Sequence, residues 1–173
     1  MMIEKAKSYA VHRHSIANQT YDGKPYETHL SEVVNVVEEF KHLIRGFSEN
    51  YEQLISAAWN HDVLEDTDTS YGDLEKVVGT VVADLVYRVT NELGKNRIER
   101  GMKTYPKTRE SHGATFLKLS DRIANTRRSK RNGHRMFKAY TKEYPTFRYA
   151  LKRGVLFADM WAHLDELYGY EED

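Results

Sequence analysis

The residues best able to do chemistry lie together in HDVLED, residues 61–66. On a helix turning 100° per residue, His61 and Glu65 share one face and Asp62 and Asp66 the neighbouring one, all within an arc of about 140°. Ala57 and Ala58 precede them, so one edge of a mostly apolar helix gathers three carboxylates and an imidazole. Carboxylates this dense repel one another unless positive charge neutralises them, and a divalent cation supplies it economically. The competing reading is a helix C-terminus whose acids stand in water, at a cost of roughly a few tenths of a kcal/mol against the macrodipole.

Two further pieces lie outside that block. Asp121 and Asn125 are spaced i, i+4, with Arg128 at i+7 on the same face, beside Leu117 and Ala124. An aspartate bordering a core needs a partner, which is either Arg122 or a shared cation. His29 follows PYET (25–28) at the start of a helical pattern, as a structural hydrogen bonder or as a ligand. Seven basic and no acidic residues fall between Arg122 and Lys138, and six acidic residues without lysine or arginine between Asp159 and Asp173. The basic run reads either as a solvated face or as a platform for phosphate groups.

The elements that must position these groups read as helices. Leu30, Val33, Val34, Val37 and Phe40 keep the i, i+3, i+4, i+7 rule. Ala6 and Ala10 mark a helix before them, and Leu54 to Leu64 one after. Ser70 to Asp73 resembles a capping box opening a short helix that Gly79 ends; the valines of 81–89, spaced three and four apart, begin another. Residues 91–110 read as a polar loop with one helical turn. A helix follows from near Ser111, and a long last helix is expected from Pro145 through Tyr168. His12 and His14 fall on the first helix and are expected at the surface, with a cleft-facing His14 as the alternative. Trp59 and Trp161 are expected in the core or the cleft wall.

Composition narrows the class. A chain of 173 residues is the size of one ordinary domain, here 1–173, with all-α architecture. Lysine plus arginine and aspartate plus glutamate each total 26, and this zero net charge argues against a nucleic-acid binder. No cysteine is present, which excludes disulfides, thiolate nucleophiles and cysteine-ligated zinc and points to a cytoplasmic setting. The N-terminal stretch has no signal-peptide pattern, and no apolar run is long enough for a membrane span.

Taken in order, three stretches resemble the HD-domain metal-dependent phosphohydrolases, and more closely the hydrolase branch of the RelA/SpoT homologues in its small stand-alone form. They are QTYDGKPYETH (19–29), AAWNHDVLEDT (57–67) and LKLSDRIAN (117–125), with weaker similarity at VYRVT (86–90) and KTYP (103–106). The resemblance implies a helical bundle with a metal site between helices. It makes His29, His61, Asp62 and Asp121 ligands of manganese or another divalent ion, with positions left for water and substrate. It matches Glu65 and Asp66 to the acidic pair that activates and orients the attacking water, and Asn125 to a contact with the nucleotide near the scissile phosphate. Arg122, Arg127, Arg128, Lys103 and Lys107 are the candidates for offsetting phosphate charge.

The implied activity is hydrolysis of guanosine 3′,5′-bis(diphosphate) to GDP and pyrophosphate. The alternative is an HD phosphohydrolase acting on another nucleotide or a phosphorylated metabolite. Two departures bear on that choice. The loop NQTYDG (18–23) lacks the arginine that stacks on guanine in the family, leaving Tyr21 as the ring to stack on a base or simply to pack the turn. Leu30 stands where the long members have proline. The chain is too short for the synthetase half of those members, so degradation alone is expected.

Overall fold

Residues 2–171 are described by a computed structural model. The chain begins with helix α1 (Met2–Ile16) and a small hairpin of β1 (Thr20–Tyr21) and β2 (Lys24–Pro25). Asp22 and Gly23 turn the hairpin with φ of 51° and 75°, the two positive values a type I′ turn requires. Then come α2 (Glu27–Glu39), a 3₁₀ turn (Lys41–Ile44), α3 (Tyr51–Asn60), the single turn α4 (Val63–Asp66), α5 (Tyr71–Val78) and α6 (Thr80–Val89). The chain closes with α7 (Arg97–Arg109), α8 (His112–Arg131), α9 (Met136–Leu151) and α10 (Ala158–Tyr168).

Local sequence explains most boundaries. Asn50 and Gln53 form a reciprocal capping box at the start of α3. Ser70, Asn96 and Ser111 each accept a backbone N–H at the first turn of α5, α7 and α8. Gly79, at φ 82°, separates α5 from α6 in a conformation other residues rarely adopt.

The architecture is all-helical apart from the hairpin, with α8 as its axis. α8 packs against α2, α3, α6, α7, α9 and α10. It places Phe116, Leu117, Leu119 and Ile123 in one continuous apolar core with Leu30 and Val33 of α2, Leu54 of α3, Leu85 of α6 and Trp161 of α10. Among the described residues, no helix is long and apolar enough to cross a membrane.

Three expectations need correction. Residues 97–109 form a full helix rather than a loop: Asn96 caps α7, Glu99 pairs with Lys103 at i, i+4, and its buried face is Gly101, Thr104, Tyr105 and Thr108, which is not an apolar stripe. The expected last helix is two: α9 starts at Met136 with Pro145 inside it, and α10 begins after Phe157 at φ 60°. The helix over 54–64 stops at Asn60, so His61 and Asp62 lie on a turn before α4.

Because Leu119 is fully buried at the middle of this axis, Leu119→Ala should lower unfolding stability by about 2–5 kcal/mol. Urea titration in EDTA checks this, with a lowered midpoint and an unchanged slope expected.

Candidate metal centre and its cavity

The turn after α3 brings His61 and Asp62 to His29, in the first turn of α2, and to Asp121, on α8. The two imidazoles are buried and their Nε2 atoms face each other at 3.1 Å. Asp62 Oδ2 lies 3.0 Å from His61 Nε2 and 3.4 Å from His29 Nε2; Asp121 Oδ1 lies 3.6 Å and 3.3 Å from the same atoms. His61 Nδ1 is 2.8 Å from the Ala58 carbonyl and donates to it, which leaves Nε2 as the nitrogen that faces the cluster. His29 Nδ1 is buried without a partner among the described residues.

Burial alone would push both imidazoles toward the neutral form. Asp121 and Asp62 outweigh it at His29, and Asp62 with Asp121 at His61, so both sit above the ordinary histidine value. Burial would likewise raise the two carboxyls, but the imidazoles hold Asp62 and Asp121 well below the carboxylate range. Such a set attracts positive charge strongly. Its spacing fits a six-coordinate divalent ion, whose adjacent ligands stand about 3 Å apart when each bond is about 2.1 Å. His29, His61 and Asp121 form a cluster able to hold a metal ion, with Asp62 beside it.

A second layer surrounds the four. The Tyr26 hydroxyl donates to Asp62 Oδ2 at 2.6 Å. Asn125 Nδ2 donates to Asp121 Oδ1 at 2.5 Å, and the Tyr21 hydroxyl donates to Asn125 Oδ1 at 2.6 Å. The acidic neighbours divide. Glu65 accepts from Arg100 Nη2 at 2.5 Å and from the backbone and side-chain N–H groups of Asn91 at 3.0–3.2 Å. Asp66 is pushed up to about 6 by burial and by the Asp62 charge.

These groups line a cavity of about 210 Å³. The cations on its wall are Arg97, Arg100, Lys118 and Arg122, of which only Arg122 was singled out in the sequence. Arg122 is buried and, with Arg97, donates to Glu143. Burial would raise the Glu143 carboxyl, but these two guanidinium groups hold it low. Lys103 and Arg128 are absent from the lining. Lys103 Nζ donates to the Leu93 carbonyl and pairs with Glu99; Arg128 is clamped by Asp22 and Glu32 and lies over the Tyr21 ring. Lys107 pairs with Glu92, and Arg127 with Glu39. Tyr21 does reach the cavity, with its ring 4.6 Å from His29 and its hydroxyl committed to Asn125.

The sequence reading missed Arg97 and Arg100 because it took their helix for a loop, and it missed Tyr26, Tyr140 and Glu143. His14 corrects another expectation. It is buried, stacked on Tyr26 at 4.3 Å, and both ring nitrogens lack partners. Its spacing of four from Ala10 and eight from Ala6 was the overlooked signal.

Fold and site together give a helical bundle that gathers two imidazoles and two carboxylates from α2, α8 and the turn between α3 and α4, the arrangement the sequence resemblance implies. Comparison with known proteins gives the particular relatives. No family model matches the chain. The MESH1 guanosine-3′,5′-bis(diphosphate) 3′-pyrophosphohydrolase of Danio rerio is 38% identical over 76 residues, 43% of this chain and 42% of that protein. The guanosine-3′,5′-bis(diphosphate) 3′-pyrophosphohydrolase of Aquifex aeolicus is 34% identical over 130 residues, 72% of this chain and 17% of that protein. A solved structure of a metazoan ortholog of SpoT that hydrolyzes ppGpp superposes with a TM-score of 0.77 at 26% identity, over 97% of this chain and 94% of that one. The match spans less than half the length of the Danio rerio, Drosophila melanogaster and Aquifex aeolicus relatives. It is a homologue of the MESH1 and SpoT hydrolases and shares their all-helical fold.

Burial lowers the His14 imidazole from 6.5 to about 4. A folded-state value below the unfolded one means that the unfolded chain binds the proton first, so stability is lost as pH falls from about 6.5 toward 4. His14→Phe keeps an aromatic ring against Tyr26 without the proton site. The wild type should lose more unfolding stability than this variant over that window, and parallel denaturant titrations at each pH measure the difference.

Proposed function

We propose that this chain is a divalent-metal-dependent pyrophosphohydrolase that converts guanosine 3′,5′-bis(diphosphate) to GDP and pyrophosphate. The observation that carries the reading is the convergence of His29, His61, Asp62 and Asp121 at near-ligand spacing, in a cavity with a cationic wall. The likeness of nearly the whole chain to a ppGpp-hydrolysing structure supports the substrate assignment. One continuous core supports treating 1–173 as a single domain of this kind. Lack of cysteine supports a cytoplasmic setting.

The four donors would hold the ion, and the mixed imidazole and carboxylate set suits manganese. A divalent ion there supplies Lewis acidity to a water and to a phosphoryl oxygen. The remaining steps belong to the chain's own groups. Asp66, poised near 6, takes the proton from the water as its oxygen attacks the phosphorus bonded to ribose O3′. The O3′–P bond breaks, pyrophosphate leaves and the proton held by Asp66 passes to O3′. Arg100 and Arg97, both partly exposed at the cavity, offset the charge on the transferring phosphoryl group, while buried Arg122 and Lys118 keep the wall positive. Glu65 orients Arg100, and Asn125, beside Asp121, meets the nucleotide near the scissile bond.

A second reading, hydrolysis of another nucleotide or a phosphorylated metabolite, is favoured by Tyr21. Its hydroxyl is bonded to Asn125 and its ring is packed between His29 and Arg128, so it does not offer a free face for guanine.

Pyrophosphate release from the tetraphosphate should require added Mn²⁺ and disappear in Asp62→Ala. Activity indifferent to both would overturn the first reading, and turnover of a mononucleotide alone would establish the second. Arg100→Ala removes one charge-assisted contact worth about 1.5–3 kcal/mol, so kcat/KM should fall roughly 10- to 100-fold. Steady-state kinetics at saturating Mn²⁺ measures that loss.

A further inference from the structure

We propose that Tyr26 is the positioning residue that fixes Asp62 for divalent-ion binding, so that its hydroxyl sets how tightly the cavity holds the ion. The inference rests on reading the four-donor cluster as a metal site. Asp62 is the carboxylate ligand candidate whose backbone lies on a turn, between the end of α3 and the start of α4. Nothing in a helix ladder fixes its side chain. The Tyr26 hydroxyl does so, donating at 2.6 Å to Oδ2, the same oxygen that lies 3.0 Å from His61 Nε2 and 3.4 Å from His29 Nε2.

The phenol ring is itself held on several sides. His14 stacks against it at 4.3 Å with an interplanar angle of 16°. His29 meets it edge-on at 5.5 Å and Tyr21 at 6.1 Å. β2 ends at Pro25, directly before it, and Tyr26 is the N-cap of α2. The hairpin, α1 and α2 therefore all converge on where one hydroxyl points. Asp121 has a separate restraint through Asn125 and Tyr21, so of the two carboxylate ligand candidates removing the Tyr26 hydroxyl frees Asp62 alone. Hydrogen bonds of this kind to a ligating group typically change metal affinity by about 10- to 100-fold.

Tyr26→Phe deletes the hydroxyl and keeps the ring. Calorimetric titration of the metal-free protein with Mn²⁺, well below its melting temperature, should give an affinity roughly 10- to 100-fold weaker than wild type, with the circular dichroism spectrum unchanged. Raising Mn²⁺ should then restore kcat toward wild type, which a general structural defect would not allow. Tyr71→Phe is the control, because it deletes an equivalent 2.6 Å tyrosine-to-aspartate bond, to Asp84 at the surface; its Mn²⁺ affinity should match wild type. A Tyr26→Phe protein that binds Mn²⁺ as tightly as wild type overturns the positioning role and leaves the proposed activity standing. A wild type that takes up no Mn²⁺ overturns the metal-dependent reading itself.

Discussion

Everything in this molecule is arranged around four side chains that would repel or dehydrate one another if left to themselves. Two carboxylates sit 3.0–3.6 Å from two imidazoles in a largely enclosed pocket. At 4 Å and an effective dielectric near 20, each pair of unit charges interacts by about 4 kcal/mol, so the cluster tolerates no casual change of protonation. The aspartates raise both imidazoles above the ordinary histidine value and so favour their protonated forms. With a divalent ion, those protons leave and the same donors turn to the metal. The scaffold has to hold this charge set in place in both conditions, which is why it is drawn from three packed segments rather than one flexible loop.

The central helix shows how the scaffold manages this. α8 carries Asp121 and Asn125 toward the cavity, yet it is also the most enclosed element and contains many polar residues. Its buried hydroxyls turn back onto the helix: Thr115 donates to the Ser111 carbonyl, Ser120 to Phe116 and Thr126 to Arg122. Its buried cations are paired as well, Arg122 with Glu143 and Arg128 with Asp22 and Glu32. Lys118 reaches the Val89 carbonyl. The polar groups thus satisfy one another, and the apolar positions Phe116, Leu119 and Ile123 remain free to hold the surrounding helices.

Legibility in the sequence followed the same division. Helices with an apolar stripe, such as α2 with Leu30, Val33 and Val37, were readable because burial there is a matter of period. α7 was not, since its buried face is glycine, threonine and tyrosine and its interior proline imitates a break. That misreading hid Arg97 and Arg100, because a cation in a loop gives no hint of which cavity it faces. The four clustered donors were found from their ordered motifs and the chemistry of their types. Their approach could not be read from spacing on one helix: the helix stops at Asn60, and the turn at His61 and Asp62 sets their direction. Arg128 and Lys103 failed as cavity cations for the converse reason, because carboxylates elsewhere in the chain, Asp22, Glu32 and Glu99, had already engaged them. Charge in a sequence is visible, but its partner is a tertiary fact.

Glu65 and Asp66 carry that argument to its end. They are adjacent, of the same chemical type, and on the same short turn after Asp62. The fold nevertheless separates them. Glu65 is saturated by Arg100 and Asn91, so its carboxylate is better suited to holding α7 and its guanidinium at the cavity than to accepting a proton. Among the described residues Asp66 pairs with no lysine or arginine; burial and the Asp62 charge raise it to about 6, where a carboxyl exchanges protons readily near neutral pH. The pairing of Glu65, which follows from where α7 packs, is what leaves Asp66 as the freer base, raised by its burial and by its neighbour Asp62.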